Sequence, residues 1–489
     1  MKLNKNVLGA ACACAVSVSA MTISTDASAA NWLMLQGTEP ASAAERMKMW
    51  GFIQAQYQKD YSKPCASAPC ADQFIPPKLI GPNLESQEQF NVNRARIGAR
   101  GTGFPLDSKV NYFILAEFGN NAITEGSNSF AKMTDASITL NHIPGARVRV
   151  GLFKTPGAEE HLQAIHVFDY IEFTQVTNQM LLERIPGHRN ECTLTDVTGT
   201  DTDDPADGNI NTITNNYRCE NQNLFPPGQG GVIGAEQNGF ANGVSAFRDV
   251  GIQIFDAFTT GAWEHSYAVM YGNGNGMNLG DNDDNKDLYL YLSTEWVMGG
   301  NGPRREGLKI FAWNQDGKRT YDLTSDNVFN PETYDRKRQG FGAKYLKKPF
   351  RVTAEYMKGE GLIFVGPDKP SFDQNGGTAA NGGDGIKGKA SGYYLDLGWY
   401  IPKTNWELDL RYDVYNRLED DKGNTAGSLE SEWLTTTVGA QYHFNKKTRF
   451  TLNYTTRDVK TPDLPSTAPP NKNMNTIENR LGLQLTHIF

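Results

Sequence analysis

Two arginine pairs stand at i, i+2 spacing: Arg94 with Arg96, and Arg147 with Arg149. On a β-strand that spacing puts both side chains on one face. Planar guanidinium groups held side by side suit the oxygens of phosphate or carboxylate. Lys48, Arg100 and Lys109 share such faces, and Lys154 joins them at a strand end. Glu117 and Asp135 stand against this set. Further along, Glu295, Glu355, Asp396, Glu407, Asp409 and Asp413 mingle with Arg338, Lys344, Arg351 and Arg411. Two chemistries fit. A basic wall of Arg94, Arg96, Arg100, Lys109, Arg147, Arg149 and Lys154 would guide anions through a channel. Alternatively, basic and acidic walls cross-pair into a structural ladder that sets a field across an internal space.

Catalysis and metal binding have weaker claims. Ser266 and His265 are neighbours, but adjacent strand residues face opposite sides and cannot act together. No G-x-S-x-G occurs, so an outer-membrane hydrolase is only a rival reading, and no catalytic residue is assigned. His161, His166 and His188 lack the H-E-x-x-H spacing of a zinc site and read as scattered loop histidines. The acidic runs Asp201–Gly208 and Asp281–Asp287 echo calcium loops without the EF-hand spacing, and read as solvated loops, with calcium bridging to lipopolysaccharide the alternative. No metal is expected. No C-x-x-C-H occurs, which excludes covalently attached haem, and no cofactor is expected.

The elements that carry the arginines alternate with period 2. About sixteen segments of barrel-spanning length emerge, near 46–57, 90–101, 109–118, 133–142, 147–154, 249–258, 264–272, 287–297, 307–314, 337–346, 350–358, 391–400, 405–416, 433–444, 449–457 and 477–489. In one of them Trp406, Leu408, Leu410 and Tyr412 oppose Glu407, Asp409, Arg411 and Asp413. One face suits lipid and the other water. Short Gly-, Pro- or Asn-containing turns follow the even-numbered strands, and long polar loops follow the odd-numbered ones. That sorting is expected of an even-stranded transmembrane barrel, with turns inside and loops outside, and places both termini on the periplasmic side. Aromatics flank three of the turns: Tyr345 and Phe350, Trp399 and Trp406, Phe444 and Phe450. Such positions suit the membrane interface. The last strand ends on Phe489, which is expected to close the barrel against the strand near Met47–Tyr57 and to serve its insertion by the barrel-assembly machinery.

The compartment follows from the other end. Lys2 and Lys5, an apolar run from Val7 to about Met21 and Ala27-Ser28-Ala29 form a secretory signal over 1–29, leaving 30–489 as the barrel. Losing Lys2, Lys5 and Asp26 takes the net charge from −8 to about −9. That acidity argues against nucleic acid as a partner. No later stretch approaches the ~20 apolar residues of a helical span. Outer-membrane lipid and lipopolysaccharide of a Gram-negative cell are the expected surroundings. Cys65, Cys70, Cys192 and Cys219 remain after the signal, and sequence-near pairing gives disulfides Cys65–Cys70 and Cys192–Cys219.

Residues 155–248 form one long third external loop. Glu159 to about Arg184 mixes polar and aromatic residues and could include a helix, whereas 190–242 is rich in Gly, Asn and Asp. A barrel of this width encloses an aqueous channel. Folding the first part of the loop into that lumen would narrow it to a filter; an external lid is the alternative.

Several segments resemble the phosphate-selective porin O/P family. Phe90–Gly101 looks like its "RARLG-x-x-G" strand, and Val148–Pro156 like its "R-x-G-x-F-K-x-P" segment. Arg248–Gln253, Tyr271–Gly274 and Arg411–Asp413 are similar to later strands of that family. The resemblance implies a sixteen-stranded homotrimeric porin, an inward third loop, and arginines guiding small anionic solutes such as phosphate. Arg94, Arg96, Arg147 and Arg149 are the matching positions. The chain departs from the pattern in its long cysteine-bearing third loop and in lacking a dense lysine cluster. The sequence thus points to a passive-diffusion porin preferring anions. A scaffold barrel sheathing an electron-carrying partner is the alternative from another class.

Overall fold

The computed structural model describes residues 32–34, 46–64, 66, 87–103, 107–119, 121, 131–182, 194–196, 217–219, 246–277, 281, 283–300, 302–321, 332–363, 388–421 and 430–489. The segment 1–29 expected to be a leader, and Cys65, Cys70 and Cys192, lie outside these residues. Among the described residues sixteen antiparallel strands form one closed barrel. They are β1 (Lys48–Asp60), β2 (Glu88–Thr102), β3 (Val110–Glu117), β4 (Lys132–Leu140), β5 (Arg147–Lys154), β6 (Arg248–Thr260), β7 (Trp263–Gly272) and β8 (Asp287–Gly299). The second half comprises β9 (Glu306–Tyr321), β10 (Glu332–Lys347), β11 (Phe350–Gly361), β12 (Gly388–Tyr400), β13 (Trp406–Arg417), β14 (Ser431–His443), β15 (Thr448–Lys460) and β16 (Arg480–Ile488). Each strand pairs with its neighbours in sequence, and β16 returns to β1 with Phe52 opposite Ile488 and Asp60 opposite Arg480. Phe489 completes the seam: its N–H donates to Gly51 O at 3.0 Å, and the Gly51 N–H donates to its carbonyl at 3.2 Å.

The polarity is inside out. Along β13, Trp406, Leu408, Leu410 and Tyr412 are exposed, while Glu407, Asp409, Arg411 and Asp413 are buried. A water-soluble sheet buries its apolar face instead; an outward apolar band with a charged interior is the solution required in lipid. Trp263 and Trp296 stack at 6.4 Å, and Trp406, Tyr442 and Phe444 form a second cluster, both beside short turns. Antiparallel alternation gathers the short connections at one barrel end and the long ones at the other.

Two strands outrun the sequence expectation. β9 extends to Tyr321 and β10 starts at Glu332, beyond the anticipated 314 and 337. In these extensions both faces are polar, so apolar alternation fades although the ladder continues, with Arg319 opposite Tyr334. Lys109 lies in the turn before β3 rather than on the strand, and is exposed. Trp32, Leu33 and Met34 are buried in the same apolar cluster as Phe52, a placement the sequence did not suggest.

Candidate functional site

The connection between β5 and β6, 155–247, carries the site. Every residue from Thr155 to Leu182 is buried or half-buried, because this segment folds into the barrel. It does so as a helical turn at Glu159–Leu162, a 3-10 turn at Ile165–Val167 and a π turn at Thr177–Leu181. Its apolar residues, including Leu162, Phe168, Val176 and Met180, cluster with Phe52, Phe311, Trp313 and Tyr394 of the wall. Such contacts stabilise a lumen-filling loop in the way any core does, by removing apolar surface from water.

Ion pairs and backbone contacts fix its path. Glu159 takes Lys344 Nζ at 3.0 Å and a closer contact from Lys309 Nζ. Glu160 receives Arg411, which also clasps Asp396, both at 2.7 Å. Asp169 receives Arg304 at 2.5 Å and Arg351 at 3.1 Å. Wall side chains also satisfy the loop backbone: Arg449 donates to Phe168 O at 2.6 Å, Arg338 to Met180 O at 2.9 Å, and the Ile171 N–H donates to Asn453 Oδ1 at 2.8 Å. The segment thus crosses the lumen from β9–β11 to β15.

The loop's ionisable groups respond to this burial. Burial raises carboxyl pKa values, but Lys309 and Lys344 outweigh it at Glu159, holding its carboxyl at about 2. Arg304 and Arg351 likewise hold Asp169 well below the carboxylate range against its burial. Glu172 goes the other way: burial lifts it to about 7, only partly opposed by Arg480 and Arg94. Burial and neighbouring cations keep His161 and His166 neutral, with His166 at about 3. His161 Nε2 lies 3.0 Å from both Phe247 O and Thr155 Oγ1, and His166 packs 5.0 Å from the Phe52 ring. His188 lies outside the described residues.

The arginines anticipated as a wall are mostly engaged. Arg96 pairs with Glu117 at 2.6 Å, and Arg147 with Asp256 at 3.3 Å. Arg149 lies over the Phe255 ring at 4.3 Å and near Thr139. Lys154 donates to His161 O and Gln163 O at 2.9 and 2.7 Å, tethering the loop where it enters. Asp135, set against the arginines in the sequence, is taken by Arg248 at 2.9 Å. Arg100 is half-buried on β2, and Lys48 is exposed at the start of β1. Arg94 differs: Nη1 donates to Gln54 Oε1 at 3.1 Å, while the buried Nη2 has no partner among the described residues. Cys219 closes a three-residue strand opposite Leu194, and its disulfide lies outside what is described.

Sequence reading missed Arg304, Arg449, Arg457 and Arg480. The last three share inward faces with Thr451, Asn453 and Gln484, a polar alternation that was available in the sequence. Arg304 sits in a turn and had no face to be read from. His265 packs on Phe258 at 5.3 Å while Ser266 is buried on the other side of β7. In the acidic 281–287 segment, Lys286 neutralises Asp281 at 2.7 Å. Among the described residues no cluster of His, Cys, Asp or Glu could hold a metal.

Small cavities border the loop. One, of about 30 Å³, lies at its entry among Thr155, His161, Arg248 and Trp313. Another, also of about 30 Å³, lies between Tyr170–Gln175 and the walls of β1 and β13–β16.

No family model matches the chain, so the likeness to the phosphate-selective porins rests on short motifs. No curated protein matches either. Among solved structures, outer-membrane-expressed OmpT of Vibrio cholerae is similar at 9% identity, over 91% of this chain and 97% of that one, with a TM-score of 0.46. The outer membrane channel DcaP of Acinetobacter baumannii is similar at 11% identity, covering 93% and 100%, with a TM-score of 0.44. OprB of Pseudomonas putida is similar at 8% identity, covering 91% and 94%, with a TM-score of 0.46.

Proposed function

We propose that this chain is an outer-membrane channel for passive diffusion of small solutes, with short turns and both termini periplasmic and 1–29 removed as a leader. The observation that carries the reading is the third loop, anchored across the lumen of a closed barrel by Lys309, Lys344, Arg304, Arg351 and Arg411. A loop held there narrows the bore, which would restrict passage to small solutes. A sheath for an electron-carrying partner needs an unobstructed bore, which this loop occupies.

A modest anion preference belongs to the same proposal, and phosphate is one candidate. Arg94 supports it, since its unpartnered Nη2 offers a charged donor inside the lumen. The cross-paired arginines contribute less, because each has a carboxylate or carbonyl already in place. A homotrimer, implied by the family resemblance, and the disulfides Cys65–Cys70 and Cys192–Cys219 complete the reading.

Planar-bilayer recording under a salt gradient tests it. Ion-conducting steps with a reversal potential on the anion side are expected. Arg94→Ala with Arg149→Ala should move that potential toward zero. Properly folded protein that forms no channels refutes the diffusion reading; cation preference in the wild type refutes the arginine role.

A further inference from the structure

The two ends of the barrel carry their charge differently. At the short-turn end, three successive hairpins of the closed sheet hold lysine without acid. These are Lys347-Lys348 between β10 and β11, Lys403 between β12 and β13, and Lys446-Lys447 between β14 and β15. Each of these lysines is exposed. No Asp or Glu lies within Tyr345–Phe350, Trp399–Trp406 or Phe444–Phe450. Among the described residues no ion pair engages Lys347, Lys403, Lys446 or Lys447, and Glu306 accepts from the Lys348 backbone N–H at 3.3 Å rather than from an ammonium. The long-loop end is balanced instead: Lys59 meets Glu88 at 2.8 Å, Lys337 meets Asp335 at 3.1 Å, and Lys460 meets Glu432 at 2.6 Å.

Position decides what the unpaired lysines can reach. On β10 the buried Lys344 and Leu346 face the lumen, so Tyr345 and Lys347 follow the lipid-facing parity. Lys347 stands opposite Phe350. Lys403 lies between Trp399 and Trp406 in the chain. Asn445 Oδ1 accepts from the Lys447 and Thr448 N–H groups at 2.8 and 2.9 Å, a local turn that sets Lys446 and Lys447 just past Phe444. Phe350, Trp399, Trp406 and Phe444 are all exposed. The Ile488 N–H donates to Lys447 O at 2.8 Å, so the arc runs on to the seam at Phe489. Hairpins two strands apart lie roughly 10 Å from one another. Aromatic rings on a barrel's outer wall sit at headgroup level, and ammonium groups on flexible stems just beyond them lie among the phosphates.

We propose that this arc, from β10 to β15, is a docking surface for anionic phospholipid headgroups, with the lysines on the phosphates and the aromatic rings at the acyl boundary. A soluble acidic partner would need neither the rings nor the lipid-facing parity. The inference goes beyond solute diffusion and requires only that the barrel lie in a bilayer.

Phosphatidylglycerol is the probe and phosphatidylcholine the comparison. The full mature chain is reconstituted into phosphatidylcholine vesicles containing either lipid in acyl-brominated form, and quenching of tryptophan fluorescence is followed against the brominated fraction. The exposed tryptophans, Trp263, Trp296, Trp399 and Trp406, all flank short turns and so report on this end. Phosphatidylglycerol should reach half-maximal quenching at an about five- to tenfold lower fraction, since one lysine near anionic lipid is worth about fivefold. Salt at about 1 M should remove the preference, because charges are then screened within about 3 Å. Lys347→Gln, Lys403→Gln, Lys446→Gln and Lys447→Gln together should abolish it. Lys318→Gln, Lys358→Gln, Lys389→Gln and Lys472→Gln, at exposed positions of the long-loop end, should leave it unchanged. The heat-dependent gel mobility of a folded barrel confirms that both variants fold. Trp399→Phe with Trp406→Phe leaves Trp263 and Trp296 as reporters, beside turns without lysine, and should also lose the preference. Equal quenching by the two lipids overturns the inference, as does a preference that survives the first set of Gln substitutions or is shared by Trp263 and Trp296. Lysine-dependent binding of polyglutamate to the detergent-solubilised barrel, without a lipid preference, overturns it as well and assigns the arc to a soluble acidic partner.

Discussion

Glu159 offers the sharpest test of how the loop is held. Its carboxylate is shared by Lys309 and Lys344, and the two lysine side chains are 8% and 10% exposed, so neither reaches bulk water. Glu159→Ala therefore strands two ammonium groups inside the lumen. Removing one partner of a buried pair costs about 3–5 kcal/mol. If that cost is relieved by releasing the loop, the open population rises by roughly two to three and a half orders of magnitude, since about 1.4 kcal/mol is tenfold. Single-channel recording should show a larger conductance with more open-channel noise, and a reversal potential shifted toward anions by the uncovered lysines. The triple variant Glu159→Ala, Lys309→Met, Lys344→Met removes the stranded charges and should return the conductance toward the wild-type value, because apolar replacement of a buried ion cluster is tolerated. Acid alone should act late. Lys309 and Lys344 hold the Glu159 carboxyl at about 2 against its burial, below the usual 4.5. The anchor is thus complete above pH about 4.5 and lost only as pH falls toward about 2. Wild-type conductance in Glu159→Ala, or a triple variant as leaky as the single one, refutes this reasoning.

Glu172 should make selectivity pH-dependent near neutrality. Burial lifts its carboxyl to about 7, so it is charged above that pH and neutral below it. The neutral form suits the folded loop: its contribution to stability is full below the ordinary 4.5 and lost as pH rises through about 7. Reversal potentials should move toward anions between pH 8 and pH 6, and Glu172→Gln should hold the acidic value throughout; an equal drift in that variant counts against the assignment. At the seam, a Cβ on Gly51 would fall 2.5 Å from Phe489 Cζ. Gly51→Val, like deletion of Phe489, should slow formation of the heat-modifiable folded band on refolding into detergent, and an unchanged rate would remove Phe489 from the closure step.

The strands were legible because an inside-out barrel writes its two faces as alternating letters. β5 came out at its observed bounds, 147–154, because a turn precedes it and the loop-entry Pro156 follows it. Legibility failed wherever partners are far apart in sequence. Asp169 meets Arg304 across 135 positions, and Glu160 meets Arg411 across 251. Neither pairing is implied by either strand alone, since it depends on barrel closure and on which wall the loop follows. The same distance explains Arg96 and Arg147: spacing put them on inward faces, but whether they greet solutes or carboxylates was decided by Glu117 and Asp256 on neighbouring strands.

This changes what the interior charges can say about selectivity. A loop folded into a charged bore survives only if nearly every ion it covers is paired, because desolvated charge without a partner is costly. The wall therefore had to cancel itself, arginine against carboxylate, and the total of −8 carries little information about the pore. In the proposed channel, selection would fall to what that cancellation leaves: one arm of Arg94, and Glu172, whose carboxyl burial lifts to about 7. Groups left over from pairing are fixed in position and desolvated, so each would exert more influence on a passing solute than a solvated charge on an outer loop would. Exchanging any one of them should therefore alter permeation more than reversing several paired arginines together with their carboxylates.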